Sequence, residues 1–397
     1  MAGIRAERYS IERIGQVFRM KFLFVGNFFK NENYGAPGHV IQLLNDIGEK
    51  GHLAHAIFRD DLLGFSPKKN IMLNTILFIV FPVMAAFKML FLDIRNRYDF
   101  VVVSSGDGFF YAILTKIFFL TKHPLLIMRS HGHEFLYKKE YKRELSMSKR
   151  SHFRVRERVF LFSYRILQVT IFSHLCDNIF VMNRAEGDYL ERSFMKDKIS
   201  VIPTGVKPVF AVPAEAKRGR DILFVGGWCH LKGCAYFVDI IKILNDRKSD
   251  LTVSVIGTGL KDGDVIADFP EEMADRIRVI RLLPKDMLKE EYLNHKVFLF
   301  PSLFEGFGKV VLEAMVLGMA VVVSEGLGVS EVISDGRNGF LVPKRDVERF
   351  ASTAGMLLDD PQLRERVGEN ARRTAAGMRS DRIADMFIDR CMELRNG

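Results

Sequence analysis

Two glutamates eight residues apart, Glu305 and Glu313, stand in the segment Val297–Val323, VFLFPSLFEGFGKVVLEAMVLGMAVVV. A strand-like run ends there at Pro301-Ser302. The loop Glu305-Gly306-Phe307-Gly308 follows, a helix is expected from about Lys309 to Gly318, and another strand at Ala320–Ser324. Glycines let a backbone come close to a ligand, and a helix start presents unpaired N–H groups to an anion. With one carboxylate in the loop and the other a turn into the helix, the pair can hold hydroxyls on two different parts of a ligand. Taken alone, two such glutamates would equally serve as solvated surface charges, so the surrounding pattern has to decide.

A second polar run, Arg129-Ser-His-Gly-His-Glu134, follows another strand-like stretch. Two histidines and a glutamate suggest a metal, but an i, i+2 spacing with no partner cluster does not make a ligand set. No Asp-x-Asp motif stands out. We therefore expect no essential metal and no cofactor. The early loop Asn33–Val40, with Gly35 and Gly38, is expected to end the first strand and open a helix.

These segments need a scaffold that brings them together. Strand-like apolar runs occur at Phe22–Val25, Phe100–Ser104, Leu125–Met128, Ile179–Met182 and Ile199–Ile202. They recur at Ile222–Val225, Thr252–Ile256, Arg278–Arg281, Val297–Pro301 and Ala320–Ser324, with helix-length stretches between them. Near-continuous apolar strands alternating with helices mean parallel sheets covered on both faces. Two such series make an α/β protein of two doubly wound, Rossmann-like domains, and 397 residues suit two domains. The expected division is an N-terminal extension 1–19, a first domain 20–205, a second domain 206–378 and a C-terminal helix 379–397 packing back on the first domain. A linker is expected near Gly205–Arg220. Ligands of open parallel sheets sit beyond the carboxyl ends of the strands, so the cleft between the domains is where chemistry is expected.

Four cysteines without a C-x-x-C pair read as reduced thiols of an intracellular protein. The first 19 residues carry arginines but no apolar core, which speaks against a secretory signal. Asn70–Phe87 is an uncharged run of 18 residues, the lower limit for a membrane span. Asn74, Thr75 and Pro82 interrupt it, and a strand follows, so a buried or membrane-touching helix between two strands is the better reading.

The net charge of +10 is uneven. Residues 1–200 hold 30 Lys and Arg against 19 Asp and Glu, while residues 201–397 are close to neutral. Ten cations fall between Lys138 and Arg165, among them Lys138, Lys139, Lys142, Arg143, Lys149, Arg150 and Arg154, interleaved with aromatic residues. Mixed cations and aromatics suit an anionic membrane surface, or a solvated helix face with an apolar inner side. Nucleic acid is not expected as a partner.

The segment PSLFEGFGKVVLEAM resembles the E-x7-E signature of the family-4 retaining glycosyltransferases of the GT-B fold. CDNIFVMNRAEGDYL, KISVIPTGV, ILFVGGWCHLKG and VSEVISDGRNGFLVP resemble further segments of that family in the same order. The likeness covers most of the chain from Lys21 and is strongest from Cys176 to Arg372. It implies that Glu313 holds the ribose hydroxyls of a nucleotide-sugar donor and Glu305 a hydroxyl of its sugar. Backbone N–H groups of Phe307, Gly308, Lys309 and Val310 would meet sugar and diphosphate, beside Gly226 and Gly227. Lys232 would neutralise the diphosphate. That role also follows from chemistry, because the leaving group gains negative charge as the glycosidic bond breaks. His131 would face the donor sugar near the reacting carbon, and Gly35 and Gly38 would form an acceptor-side loop. One position departs from the pattern: the family usually places an Arg where Gly227 stands. Lys232 then acts with helix N-termini alone, or another cation substitutes, with Arg184 and His230 as candidates.

The resemblance thus implies a retaining hexosyltransferase, and the reduced thiols and the basic stretch give the expectation that it is cytoplasmic and peripheral on the inner face of the membrane. It would move a sugar onto a lipid-linked or polysaccharide acceptor in cell-surface glycan synthesis, lipopolysaccharide among them. A nucleotide-sugar epimerase of similar architecture and a non-enzymatic membrane-surface binder are the alternatives.

Overall fold

The computed structural model describes residues 19–30, 35–63, 71–118, 124–132, 134–147, 166–193, 197–211 and 216–396. The first sheet contains β1 (Lys21–Gly26), β2 (Leu53–Phe58), β3 (Phe100–Ser104), β4 (Leu125–Arg129), β5 (Asn178–Val181) and β6 (Ile199–Val201), in the order β2-β1-β3-β4-β5-β6. Its helices are α1 (Gly35–Glu49), α2 (Asp60–Leu63), α3 (Ile71–Asn96), α4 (Phe109–Ala112), α5 (Glu134–Met147), α6 (166–175) and α7 (Arg184–Ser193). The second sheet contains β7 (Arg220–Val225), β8 (Val253–Ile256), β9 (Ile277–Ile280), β10 (His295–Phe300), β11 (Ala320–Ser324) and β12 (Phe340–Val342), in the order β12-β11-β10-β7-β8-β9. With it go α8 (Pro208–Ala211), α9 (Cys234–Arg247), α10 (Asp262–Ile266), α11 (Lys285–Asn294), α12 (Lys309–Val316), α13 (Val347–Asp359), α14 (Pro361–Ala375) and α15 (Ser380–Asn396). Every strand pairing is parallel.

The expected strands are present, and the structure adds two more. Residues 53–58, LAHAIF, form β2 at one sheet edge, where four of the six residues are not buried. A half-exposed edge strand built on Ala and His lacks the apolar run that marks the central ones. β12 is an edge strand of three residues, too short to leave a pattern.

Ile71–Asn96 forms one continuous helix, α3, which leads into β3. Phe81, Ala85, Ala86 and Met89 bury one face of it against the sheet and α6. No helix among the described residues is long and apolar enough to cross a membrane.

α15 leaves the second domain and fills the other face of the first sheet. Ile383, Ala384, Phe387, Ile388 and Cys391 are buried among Phe22, Phe24, Phe100 and Phe180. The Phe387 ring lies 5.2 Å from Phe180 and 5.9 Å from Phe24. The chain crosses between domains twice, and the two crossings pair with each other. Val206 donates to the Met378 carbonyl at 2.8 Å, and Ser380 donates to the Val206 carbonyl at 3.0 Å. A Cβ on Gly205 would stand 2.6 Å from Ser380 Cα, so this close approach requires glycine.

The 205–220 stretch is no loose tether in its described part. Arg218 is half-buried and donates to four carbonyls, those of Tyr292, His295, Leu317 and Gly318, at 2.8–3.1 Å.

Candidate active site

A cavity of about 310 Å³ lies between the carboxyl ends of the two sheets. His131, Glu305, Gly226, Gly227, Lys232, Phe307, Gly308, Lys309, Val310, Glu313, Gly35 and Gly38 all line it. Strand order explains the convergence. β1, β4, β7 and β10 are interior strands, and the loop after each of them opens into the same gap.

The glycine loop is held tightly. A Cβ on Gly306 would stand 2.4 Å from the His131 carbonyl oxygen, so the two domains touch backbone to backbone here. Asn183 Nδ2 donates to the Gly306 carbonyl at 2.6 Å. Gly308 caps α12 in the left-handed region, with φ +106°, where other residues are strained. The first turn of α12 carries no acidic side chain and faces the cavity, an arrangement suited to an anion.

Glu313 is 1% exposed and fully engaged. Lys285 Nζ lies 3.0 and 3.3 Å from its two oxygens, and the Tyr292 hydroxyl donates to Oε2 at 3.1 Å. Burial first, and then the carboxylate, push the Tyr292 phenol well above its ordinary range, so it stays a donor. The pair fixes one carboxylate rotamer at the floor of the cleft. Glu305 forms an ion pair with Lys232. Lys232 ends a short 3-10 turn whose next residue, Gly233, has φ +75° and packs on the Pro301 carbonyl.

His131 sits at the end of β4. Its Nε2 lies 3.2 Å from Ser104 Oγ, and its Nδ1 is buried without a hydrogen-bond partner. Burial, then the charge of Arg129, push the imidazole down to about 3, so it is neutral across the physiological range. A ligand hydroxyl would satisfy the orphaned nitrogen. His39, on α1, is neutral for the same reasons, burial first and then Arg129. Arg129 Nη2 is 2.7 Å from His39 Nε2, and Thr204 Oγ1 is 2.8 Å from His39 Nδ1. A guanidinium only donates, so Nε2 accepts and Nδ1–H donates to Thr204. Arg129 is itself fully buried, and its guanidinium rests 5.5 Å from the Phe387 ring of α15.

The structure corrects three expectations. Gly35 and Gly38 are not in a loop but in the first turn of α1, where their small size opens the helix start to the cavity. Arg184 and His230 do not line the cavity. Arg184 is exposed at the start of α7, where the backbone N–H groups of residues 184 and 185 donate to Glu331 of the second domain at 3.0 Å. The cations that do line it are Lys207, Lys232, Lys285 and Lys309. Burial pushes Lys309 down to about 8, so it remains mostly charged at neutral pH. Open space surrounds Gly227, so no side chain fills the place of the missing Arg.

Lys285, Tyr292, His39 and Thr204 went unnoticed in the sequence. Lys285 follows β9, and the rule that ligands meet loops after strands could have singled it out. His39 and Thr204 lie inside the segments Asn33–Val40 and KISVIPTGV already singled out, and no local signal marks Tyr292.

On the basic stretch, Lys139, Lys142 and Arg143 of α5 are exposed and Lys138 is partly so. Two acids of the same helix face the second domain, where Arg345 pairs with Glu140 at 2.5 Å and Glu144 at 3.2 Å, while Glu134 accepts from Ser105 of the first domain. Lys149, Arg150 and Arg154 lie outside the described residues, as does His133. Among the described residues, no group of three or more His, Cys, Asp or Glu is placed to hold a metal ion.

Two facing Rossmann-like domains with a glycine loop and a buried carboxylate in the cleft define the GT-B architecture. The family model described as "Glycosyl transferases group 1" matches residues 207–374. A D-inositol 3-phosphate glycosyltransferase of Paenarthrobacter aurescens is 31% identical over 231 residues, 54% of this chain and 56% of that protein. The chain spans about half the length of the curated relatives it matches. Sucrose-phosphate synthase from Thermosynechococcus elongatus superposes with a TM-score of 0.74 at 16% identity, covering 94% of this chain and 99% of that one. Anabaena HepE in complex with UDP and glucose superposes with a TM-score of 0.66 at 15% identity, covering 94% and 100%. At such identities the superpositions establish the fold alone. The second domain belongs to the group 1 glycosyl transferases, and the chain has the GT-B fold of the family-4 enzymes it resembles.

Proposed function

We propose that the protein is a retaining glycosyltransferase that moves a hexose from a nucleotide-sugar donor to a glycan or lipid-linked acceptor. The observation that carries this reading is the convergence of Glu313, Glu305, Lys232, the α12 N-terminus and His131 on one interdomain cavity.

Glu313, oriented by Lys285 and Tyr292, accepts hydrogen bonds from the two ribose hydroxyls. The diphosphate lies across the first turn of α12 and draws Lys232 from Glu305. Glu305 is then left to accept from a hydroxyl of the donor sugar. His131 Nδ1 meets a hydroxyl close to the reacting carbon as a neutral hydrogen-bonding group. The bond from that carbon to the leaving phosphate oxygen breaks with its electron pair on the oxygen. The acceptor oxygen bonds to the same face of the sugar, and its proton passes to the leaving phosphate. Lys232 and the helix N-terminus stabilise the charge that develops there, the usual source of large rate effects. No metal is required for this step, since the lysine and the helix supply the positive charge.

The test is release of nucleoside diphosphate from a panel of nucleotide sugars, with and without glycan acceptors. Release that depends on an acceptor is expected. Conversion of the free nucleotide sugar without acceptor would favour an epimerase, and absence of any nucleotide binding would leave a non-enzymatic binder.

We also infer that the first domain rests on an anionic membrane carrying the acceptor. Phe87, Phe91 and Ile94, on one face of α3, are 64, 63 and 62% exposed, and Ile117 and Phe118 are exposed on the same domain. The same domain exposes Lys139, Lys142 and Arg143 of α5, and exposed apolar and basic groups suit a lipid headgroup layer. The protein should sediment with phosphatidylglycerol vesicles and be released by about 0.5 M salt, which screens charges beyond a few ångströms. Equal sedimentation with neutral vesicles would overturn this.

A further inference from the structure

A second cavity, of about 700 Å³, lies at the other end of α12 and shares no lining residue with the interdomain cavity. That volume is in the range of small-molecule sites. Five arginines line it: Arg218 before β7, Arg364 and Arg372 on α14, and Arg379 and Arg382 at the start of α15. Two glutamates of α14, Glu365 and Glu369, oppose them, which leaves an excess of three positive charges.

Cations gathered from separate segments repel one another unless each finds a counter-charge. Arg372 has Glu369 at 2.8 Å, and Arg379 has Asp381 at 3.0 Å. The other three have no carboxylate partner among the described residues. Arg218 donates to four backbone carbonyls, and Arg364 Nη1 donates to the Leu357 carbonyl at 2.8 Å. The Arg382 side chain is exposed and makes neither a hydrogen bond nor an ion pair among the described residues. Burial, then the charge of Arg364, push the Arg218 guanidinium down to about 10, so it stays charged at neutral pH. Close backbone packing holds the cluster together. A Cβ on Gly368 would stand 2.2 Å from the Gly318 carbonyl oxygen, so α14 lies directly on the turn that ends α12. A Cβ on Gly318 would have Arg372 Cδ at 3.8 Å and Arg218 Nη2 at 3.9 Å.

Phe210 of α8, 1% exposed, supplies part of the apolar wall. Its ring meets the Tyr292 ring edge-on at 5.9 Å, and Lys285 Nζ lies 5.5 Å from its centre. Arg218 also holds the Tyr292 carbonyl at 2.8 Å. Phe210 and Arg218 thus stand between this cavity and the two groups that orient Glu313.

We propose that the arginine cavity is a second binding site, for a soluble phosphorylated small molecule, and that its occupation is linked to the nucleotide site through Phe210 and Tyr292. The link rests on the donor-site reading above, and the site itself does not. Guanidinium forks match phosphate oxygens two at a time, and a phosphate supplies the counter-charge that three of the arginines lack. With three excess positive charges, a multiply charged phosphate fits better than a single carboxylate.

The experiment titrates inorganic pyrophosphate into the full chain carrying Lys232→Ala, which removes the lysine of the donor cavity. Pyrophosphate should bind this protein, and adding Arg364→Ala or Arg382→Ala should weaken binding at least tenfold. Arg382→Ala deletes a side chain without a partner, so thermal unfolding without ligand should be unchanged. No binding to Lys232→Ala, or equal binding with and without the arginine changes, would overturn the site. Glycerol 3-phosphate should displace the pyrophosphate. Failure to displace it, together with sedimentation on phosphatidylglycerol vesicles that falls in Arg382→Ala, would make the cluster a lipid contact and overturn the small-molecule reading. For the link, UDP affinity is measured with Lys232 in place. Saturating pyrophosphate should change it at least twofold more in the wild type than in the double variant Arg364→Ala, Arg382→Ala, since coupling between two sites is reciprocal. An equal change in both is competition within the donor cavity and overturns the link. Failure of UDP and every other nucleoside diphosphate to bind removes the donor-site reading and the link with it, while the pyrophosphate titration still decides the arginine site.

Discussion

Glu313→Ala is expected to lose nucleotide-sugar turnover by roughly two to four orders of magnitude while the chain stays folded. Hydrogen bonds to a charged group contribute about 1.5–3 kcal/mol each. Two ribose hydroxyls lost together therefore cost about 3–6 kcal/mol, and about 1.4 kcal/mol is a factor of ten in rate. The variant also strands the Lys285 ammonium and the Tyr292 hydroxyl, both now satisfied by this carboxylate. Each buried group left unpaired costs about 1–3 kcal/mol of stability. Circular dichroism and acceptor-dependent nucleoside diphosphate release, measured on the same preparation, separate the two effects. Glu313→Gln, which keeps the shape, should recover stability more than turnover. Full turnover in Glu313→Ala would sink the assignment of the nucleotide site.

The second large effect is expected far from the cleft. Phe387→Ala should lower the stability of the chain by about 3–5 kcal/mol, the range for deleting a fully buried phenylalanine side chain. Phe387 is 0% exposed and touches Phe22 and Phe24 of β1 and Phe180 of β5 in the first sheet. The Arg129 guanidinium stacks on the same ring. Its loss removes a fixed platform beneath the Arg129–His39–Thr204 chain, so activity should fall before unfolding does. Urea denaturation monitored by tryptophan and by far-ultraviolet signal would measure the loss. A change under about 1 kcal/mol would mean that α15 only lies against the first domain without completing its core.

The contrast between these two residues shows what a sequence reveals. Glu313 announces itself, because a glycine loop between a buried strand and a helix has few other uses. Central strands such as Phe100–Ser104 and Ala320–Ser324 were legible because burial on both faces demands an unbroken apolar run. The edge strand β2 was not, since half of its surface faces outward. Pairings across the chain left no local trace. His39 meets Arg129 at a separation of 90 residues and Thr204 at 165, and nothing near His39 in the sequence marks either partner. Lys285 took up the charge of Glu313 from 28 residues away. The expected substitutes for the missing arginine, Arg184 and His230, do not line the cavity. The fold instead supplied lysines from four separate segments.

The return of α15 to the first sheet bears on how the chain is made. Phe22, Phe24 and Phe100 are synthesised early, but the helix that covers them is translated more than 280 residues later. A ribosome adding roughly 5–20 residues per second leaves that aromatic face waiting for tens of seconds. The second domain, whose strands and helices β7 to α14 are contiguous, can complete its own core in the meantime. The domain translated before the other is thus completed after it, and the paired crossings at Val206 and Ser380 are the seam along which it is closed.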